Sequence, residues 1–556
     1  MSYLDTPRLT FFGQFTANPS TVNNTPTNYN MTMPLGSVAW NPNGRHNFSL
    51  NACKVTSICT DAGLAKSGDP IIGAALASTG PAVLVDLDTQ QQAASQIFGL
   101  VVQISLGGAT ITGEMTPVNF FDMFSRNWVP GDGQFSASYQ SVLTNVQWSG
   151  AWNSPFVEQL QKVSGSTLSI HFVVDGYHDG AYQTGNFTTG RVAGTIGPYS
   201  SDEPTSFVNA RFLRPVPNTP SPWGNFNKAP ARTDLVRKKI TFDFGNAFPT
   251  TYPANEQFPT SPATGLQAGI LAWPQPTSPQ VVLSLGNIDS SDAAYAETAF
   301  VQEFDLTAEA LAIIGSSPTG VFLPTPVGQP IVFMSENPTG AYLNYEQYVF
   351  RLDPGTSTGS GTVNVRANIF EQPGANQTIP LAMYLNMLGG GPGNLAVGTL
   401  PGLTFPPSIT TGADGKASFT INSASPGTPR IYIDGQVYGI QANWSLDTFP
   451  DIWAFVSVKV FDVVAATDTP PTWWQDVLPI LNQYAVLYPA MRQIILLNDY
   501  AKVVANLQPI LDRLQLPSTD PLLMPITREL STSKLQIILA WANAGAPEGM
   551  APAANT

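Results

Sequence analysis

The chain has 556 residues, which is too long for one compact core and indicates roughly two to four domains. Hydrophobic residues make up 43% of the chain and exclude intrinsic disorder, whereas charged residues make up only 11%. Together with 47 glycines and 49 prolines, this composition predicts short strands and many turns. We therefore expect a mainly β protein.

The charge balance argues against nucleic acids and membranes as partners. Lysine and arginine total 24 against 38 acidic residues, which gives a formal charge of −14 with no long basic run. The chain opens without a charged and apolar leader, and no apolar run is long enough to span a membrane. Cys53 and Cys59 stand too far apart on one strand to form a disulfide, so we expect reduced thiols and a cytoplasmic protein.

In chain order, residues 1–353 are expected to form a large β-rich region. Short apolar runs there alternate with period two and are interrupted by Gly, Pro and Asn, as at residues 168–174 and 239–244. We expect an internal division of this region near residues 214–232, where prolines prevent strand pairing.

A linker rich in Gly, Ser and Thr at residues 354–362 is expected to precede a small β-sandwich at residues 362–465. Residues 471–545 are predicted to form C-terminal helices because apolar residues recur every three or four positions, with Ser531 as the N-cap of the last one. Residues 546–556 are expected to be a loose tail. The predicted fold class is mainly β, with two or more β-sandwich-like domains and a short C-terminal helical segment.

Three acidic or basic side chains are candidate catalytic residues. His178 lies in a polar turn between Asp175 and Asp179, whose carboxylates could orient its ring for acid–base work. Asp86 and Asp88 share one strand face, a spacing that suits paired carboxylate chemistry or a weak Ca²⁺ site. The plainer alternatives are an exposed turn and a solvent-facing strand end. The three histidines of the chain lack zinc or di-iron spacing, so no metal site and no cofactor are predicted.

Several short motifs occur in the same order as in one known family. They are Asp5-Thr6-Pro7-Arg8-Leu9-Thr10-Phe11, Asn47-Phe48-Ser49, Val85-Asp86-Leu87-Asp88, Gly194-Thr195-Ile196-Gly197-Pro198, Arg211-Phe212-Leu213-Arg214-Pro215, Trp473-Trp474-Gln475-Asp476, Tyr484-Ala485-Val486-Leu487-Tyr488-Pro489 and Met524-Pro525-Ile526-Thr527-Arg528-Glu529-Leu530-Ser531. On these motifs the chain resembles the N-terminal half of the violacein-pathway iminophenylpyruvate dimer synthases and the chromopyrrolate synthases. The ferritin-like second half of those synthases has no counterpart in the sequence.

The resemblance implies a β-rich module of aromatic natural-product biosynthesis. It does not carry over the oxidative coupling of imines, because the metal-holding half is missing. Arg8, Arg211, Arg214 and Arg528 stand in the matching motifs and are candidate ligand-binding residues. Structural ion pairs are the alternative role for these arginines, since buried charges need partners.

We therefore expect an accessory or binding protein that holds no metal. It would handle a small aromatic metabolite or dock a separate ferritin-like or oxidase chain. One alternative is a stand-alone enzyme of secondary metabolism with an acid–base pocket between β domains. A second alternative is a protein that recognises glycans or another surface.

Overall fold

The computed structural model describes most of the chain. The description covers residues 1–18, 41–88, 91–117, 122–129, 132–178, 189–251, 260–275, 278–384, 402–427, 433–448 and 454–552. Within these ranges, only the backbone is described at residues 91–93, 122–129, 132–135, 177–178 and 275.

The first sheet contains twelve antiparallel strands and most of the N-terminal third of the chain. Its strands are β1 (Arg8–Asn18), β2 (Asn47–Thr60), β3 (Gly63–Ala65), β4 (Ala75–Thr79), β5 (Val83–Asp88), β6 (Gln91–Phe98), β7 (Val101–Leu106), β8 (Ala109–Met115), β9 (Asp122–Val129), β10 (Asp132–Ser149), β11 (Leu168–His178) and β12 (Thr189–Pro198). Because β1 pairs with both β12 and β2, the path β1–β12–β11–β10–β8–β7–β4–β2 closes into a ring. Helix α1 (Pro155–Ser164) connects β10 to β11.

Side chains alternate between the two faces of this ring, as strand geometry requires. Ile170 and Phe172 of β11 belong to the apolar core of the first sheet, and Tyr139 of β10 stacks on Phe172. Their neighbours Ser138 and His171 therefore lie on the opposite face. These two residues are still only 7% exposed, because the second sheet covers that face.

The second sheet has eight strands in the order β17-β16-β19-β20-β13-β14-β15-β18. They are β13 (Arg211–Pro215), β14 (Ala229–Asp234), β15 (Lys239–Asp243), β16 (Gln267–Gln275), β17 (Ser278–Asn287), β18 (Val301–Asp305), β19 (Thr319–Leu323) and β20 (Ile331–Ser335). Helices α2 (Asp292–Thr298) and α3 (Ala308–Ile313) flank β18 in the chain. The proline-rich stretch near residues 214–232 connects β13 to β14, which pair within this one sheet.

Two five-stranded sheets share one further core and form a sandwich. In chain order their strands are β21 (Ala341–Tyr345), β22 (Val349–Leu352), β23 (Ser360–Ile369), β24 (Gln372–Pro373), β25 (Thr378–Met383), β26 (Leu403–Thr404), β27 (Ser408–Thr410), β28 (Lys416–Ser423), β29 (Gln436–Ala442) and β30 (Val456–Val460). The expected linker at 354–362 lies inside this sandwich, because β21 pairs with β23 and β22 pairs with β30. Residues 353–359 form a hydrogen-bonded turn between two strands of the sandwich.

The last part of the chain is helical. It contains a π-helical turn at Trp473–Val477, α4 (Leu478–Leu487), a 3₁₀ turn at Pro489–Gln493, α5 (Tyr500–Ala505), α6 (Leu507–Leu514) and α7 (Thr532–Asn543). Ser531 caps α7 by accepting a hydrogen bond from the main-chain N–H of Lys534, as the sequence predicts. The tail that we expected to be loose is bound at its start, since Trp473 N–H donates to the carbonyl oxygen of Pro547 at 3.0 Å.

The protein is therefore mainly β, with several β units and a short C-terminal helical segment, which confirms the predicted fold class. Among the residues described here, no helix combines the length and apolarity that crossing a membrane requires.

Candidate active site

The two candidate carboxylates of β5 are buried instead of facing solvent at a strand end. Oδ1 of Asp86 accepts a hydrogen bond from the hydroxyl of Ser95, and Arg351 donates to the main-chain oxygen of Asp86 at 3.2 Å. Burial raises the pKa of Asp86 to about 7. Asp86 therefore takes up a proton far more readily than an exposed aspartate does.

Asp88 belongs to a buried ion cluster. Lys459 Nζ lies 3.0 Å from Oδ2 of Asp88 and 3.0 Å from Oε1 of Glu529, and all three side chains are fully buried. Tyr488 donates its hydroxyl to Glu529 and also contacts the hydroxyl of Thr527. The cluster connects the first sheet, the sandwich and the C-terminal segment. Asp88 balances a buried positive charge there.

Two of the candidate arginines are bound by carboxylates of the protein itself. Arg8 donates to Oε1 of Glu303 at 2.9 Å, and its side chain is 5% exposed. Arg211 donates to Oε2 of Glu336 at 2.7 Å and lies 3.2 Å from Glu371. Both guanidinium groups thus have the ion-pair partners that a buried cation needs.

The other two candidate arginines also contact protein groups. Arg214 donates to Oδ1 of Asp447 at 2.6 Å. Arg528 donates to the main-chain oxygen of Asp520 at 2.7 Å, and its guanidinium lies 3.9 Å from the centre of the Phe98 ring. Burial, together with the nearby charge of Arg351, lowers the pKa of Arg528 to about 9.

Two of the three histidines lie at the end of strand β11 and directly before β2. His178 is the last residue of β11, where it is paired with Gln134, and its side chain lies outside the described part of the structure. His46 is buried, and its Nδ1 donates to the main-chain oxygen of Leu84 at 3.0 Å. Burial lowers the pKa of His46 to about 4, so its ring is neutral at physiological pH.

The third histidine joins two residues that the sequence leaves far apart. Ser138 Oγ lies 2.6 Å from Nε2 of His171, and Nδ1 of His171 lies 3.0 Å from Oδ2 of Asp243. A serine hydroxyl, an imidazole and a carboxylate in this order form the contacts of a nucleophile, its general base and the group that orients the base.

Strand pairing brings these groups together. Ser138 and Gln140 are on one face of β10, and Gln140 is the direct cross-strand partner of His171 on β11. Asp243 is the last residue of β15 in the second sheet, which packs against this face. The site therefore exists only where the two sheets meet.

Asp243 is held as a carboxylate. Tyr3 donates its hydroxyl to Oδ2 at 2.7 Å, and the main-chain N–H of Gly245 donates to Oδ1 at 2.8 Å. Burial alone would raise the pKa of Asp243, but His171 and these hydrogen bonds outweigh burial and hold that pKa below its usual value. The carboxylate accepts the Nδ1 proton of His171, so Nε2 is left to accept the proton of Ser138.

A partly open cavity of about 30 Å³ lies beside these groups, with room for about one or two water molecules. Its walls include Ser138, His171, Gln140, Phe207, Phe212 and Tyr342. The aromatic rings form one wall, in which Phe212 and Tyr342 stack with centroids 4.7 Å apart. Asp86 and Asp88 do not line this cavity.

Gln140 is the polar cavity residue that the surrounding protein leaves incompletely bonded. It is 5% exposed, and its Nε2 has no hydrogen-bond partner among the described residues. Leaving a buried amide donor unsatisfied costs about 1–3 kcal/mol. An acceptor atom bound in the cavity would recover that free energy.

Sequence reasoning missed this site, although one signal was present. His171 stands between Ile170 and Phe172 in an alternating strand, which places a polar ring on the face opposite the apolar core. Nothing local to β11 indicates that Ser138 lies on the adjacent strand or that Asp243 covers the ring from another sheet.

The fold and the site together define a mainly β protein with a Ser–His–Asp arrangement buried between two sheets. No protein-family model matches the chain, and no curated protein matches it significantly. The resemblance to the dimer synthases therefore stays a prediction.

Proposed function

We propose that this protein is a serine-dependent acyl-transfer enzyme that hydrolyses a small ester or amide. The observation that carries the proposal is the contact series Ser138–His171–Asp243, with distances of 2.6 Å and 3.0 Å, beside a cavity. The short distances between the three side chains support the proposal. The tautomer of His171 supports it too, because Asp243 favours a proton on Nδ1, which leaves Nε2 able to accept the proton of Ser138.

The proposed reaction has two steps, acylation of Ser138 and hydrolysis of the acyl-serine. Ser138 Oγ attacks the carbonyl carbon while Nε2 of His171 takes the hydroxyl proton, and that proton then passes to the departing alcohol or amine. Water next attacks the acyl-serine, gives its proton to His171 and releases the acid. His171 returns the proton to Ser138. Asp243 stabilises the imidazolium that forms in each step.

A serine-directed probe tests the proposal on the full chain. We expect a fluorophosphonate to label Ser138. We expect hydrolysis of para-nitrophenyl acetate to fall by about 10⁴-fold in Asp243→Asn and by about 10⁶-fold in Ser138→Ala. Ser141→Ala is the matched control, because Ser141 lies on the same strand and donates to the main-chain oxygen of Thr116 instead. Mass spectrometry locates the label, and a thermal melt checks folding.

Two results would overturn the catalytic proposal. One is a folded wild-type chain that neither reacts with the probe nor hydrolyses the ester. The other is unchanged turnover in a folded Ser138→Ala variant.

A second candidate function is the accessory role, in which the partly open cavity contacts one edge of a small aromatic metabolite that lies mostly outside it. A separate ferritin-like or oxidase chain carries out the chemistry. The aromatic wall of Phe207, Phe212 and Tyr342 favours it, since planar ligands stack on such rings. Titration of the wild type and of Phe212→Ala with phenylacetate and with tryptophan tests this role. Saturable binding that the variant loses, without any ester hydrolysis, would support it over the catalytic proposal.

A further inference from the structure

Gln140 stands beside the proposed nucleophile with an amide group that the protein does not use. It is two residues from Ser138 on the same face of β10, and it is directly opposite His171 on β11. All three side chains line the same cavity. The Nε2 group of Gln140 has two N–H donors but no acceptor among the described residues.

The main-chain N–H group of Ser138 itself is a poor candidate for binding the oxygen of an attacked carbonyl. At Ser138, strand β10 pairs with β11 on one side and with β9 on the other, so the backbone of this residue belongs to the sheet ladder. A side chain that lines the cavity and has an unused donor suits the developing negative charge better. Acyl transfer depends on such a donor, since the carbonyl oxygen gains a full negative charge in the tetrahedral intermediate.

We infer that the carboxamide of Gln140 is the oxyanion donor of this site. It donates an N–H to the carbonyl oxygen of a compact ester while Ser138 attacks the carbonyl carbon. The small cavity admits at most a short acyl group, so it selects an ester such as an acetate over a long-chain lipid ester. This inference rests on the proposed acyl-transfer function.

The test replaces Gln140 by methionine, which has a similar length but no N–H group. We expect kcat for para-nitrophenyl acetate to fall by about 10²- to 10³-fold with little change in KM, because the lost contact strengthens only in the transition state. We also expect the melting temperature to stay the same or rise, because the variant removes a buried donor that has no partner in the free protein. A merely structural glutamine would instead lower the melting temperature and leave kcat unchanged.

Gln147→Met is the matched control, since Gln147 lies on the same strand, is exposed and donates to the main-chain oxygen of Asn145. Full kcat in a folded Gln140→Met variant, combined with Ser138-dependent labelling, would overturn this inference and leave the proposed function standing. A folded wild type without labelling or hydrolysis would overturn both. Para-nitrophenyl palmitate, cleaved as fast as the acetate, would contradict the selection for compact esters.

Discussion

The ammonium group of Lys459, on the last strand of the sandwich, lies 3.0 Å from Oε1 of Glu529 in the C-terminal segment, and both side chains are fully buried. Asp88 of the first sheet contacts the same ammonium group at 3.0 Å. One buried cation therefore connects three parts of the chain. Such an arrangement is sensitive to the loss of any one member, since the remaining charges stay in a low-dielectric environment.

Replacing Lys459 by methionine should destabilise the protein by about 3–5 kcal/mol, because Asp88 and Glu529 would both lose the ammonium group that balances their buried charges. Chemical denaturation monitored by tryptophan fluorescence measures the loss. Lys239→Met is the control, since Lys239 pairs with Asp305, which is 85% exposed, and surface pairs contribute at most about 1 kcal/mol. Equal stability of the two variants would contradict this prediction.

Asp86 should make stability fall as pH rises. Its pKa is about 7 in the folded protein against 3.8 for the free side chain, so the folded state binds more protons between about pH 4 and pH 7. The cost of ionising Asp86 accumulates through that window and reaches about 4 kcal/mol at most above it. Asp86→Asn keeps an acceptor for Ser95 and cannot ionise. The free energy of unfolding of the variant should equal that of the wild type near pH 4 and exceed it near pH 8.

Denaturation midpoints at pH 4, 6 and 8 test this difference. The contribution of His46 to the pH dependence of stability has the opposite sign, because its lowered pKa of about 4 makes stability rise with pH up to about pH 6.5. His46 is present in both proteins, so its contribution cancels when the wild type and the variant are compared. Asp512→Asn on an exposed helix face serves as the control. Parallel pH curves for wild type and Asp86→Asn would show that Asp86 is ionised throughout.

The C-terminal helices should be required for folding of the β units. A chain ending at Phe461 loses Glu529 from the ion cluster, and it loses the N–H groups of Thr532 and Ser531 that donate to Asp353 and Asp434. We expect this shortened chain to aggregate or to unfold without a cooperative transition. Circular dichroism and calorimetry measure that loss.

The matched control ends at Gly549, because the main-chain contacts of Trp473 and Trp474 with the tail extend only to Glu548. This chain should melt like the full protein. Cooperative unfolding of the chain that ends at Phe461 would show that the helices are an independent unit.

The chain alone should bind no stoichiometric iron and should not couple imines derived from tryptophan. The described residues contain no group of three or more His, Cys, Asp or Glu side chains placed to hold a metal ion. Elemental analysis of the purified protein, followed by an assay with an amino-acid oxidase and tryptophan, measures both properties. Stoichiometric iron together with the dimeric product would refute this prediction.

Features that depend on local periodicity follow from the amino-acid sequence without any structural information. Low charge and period-two runs such as residues 168–174 predict a mainly β protein, and the structure confirms it. A helical stripe and a serine cap likewise predict the C-terminal helices, including the start of α7 after Ser531. These signals involve residues close together in the chain, so no tertiary information is needed to interpret them.

The candidate active site, by contrast, follows only from how the strands pair and how the sheets pack. Alternation in a strand shows that His171 lies on the face opposite Phe172, but it does not show which strand is adjacent or which sheet covers that face. Pairing of β10 with β11 brings Ser138 to His171, and packing of the second sheet adds Asp243. In the same way, the sequence indicates only that Asp88 is a carboxylate at a strand end. The structure shows that Lys459, which is 371 positions later in the chain, lies 3.0 Å from it. Contacts between residues so distant in sequence have no local pattern, because they arise only when separately formed sheets pack together.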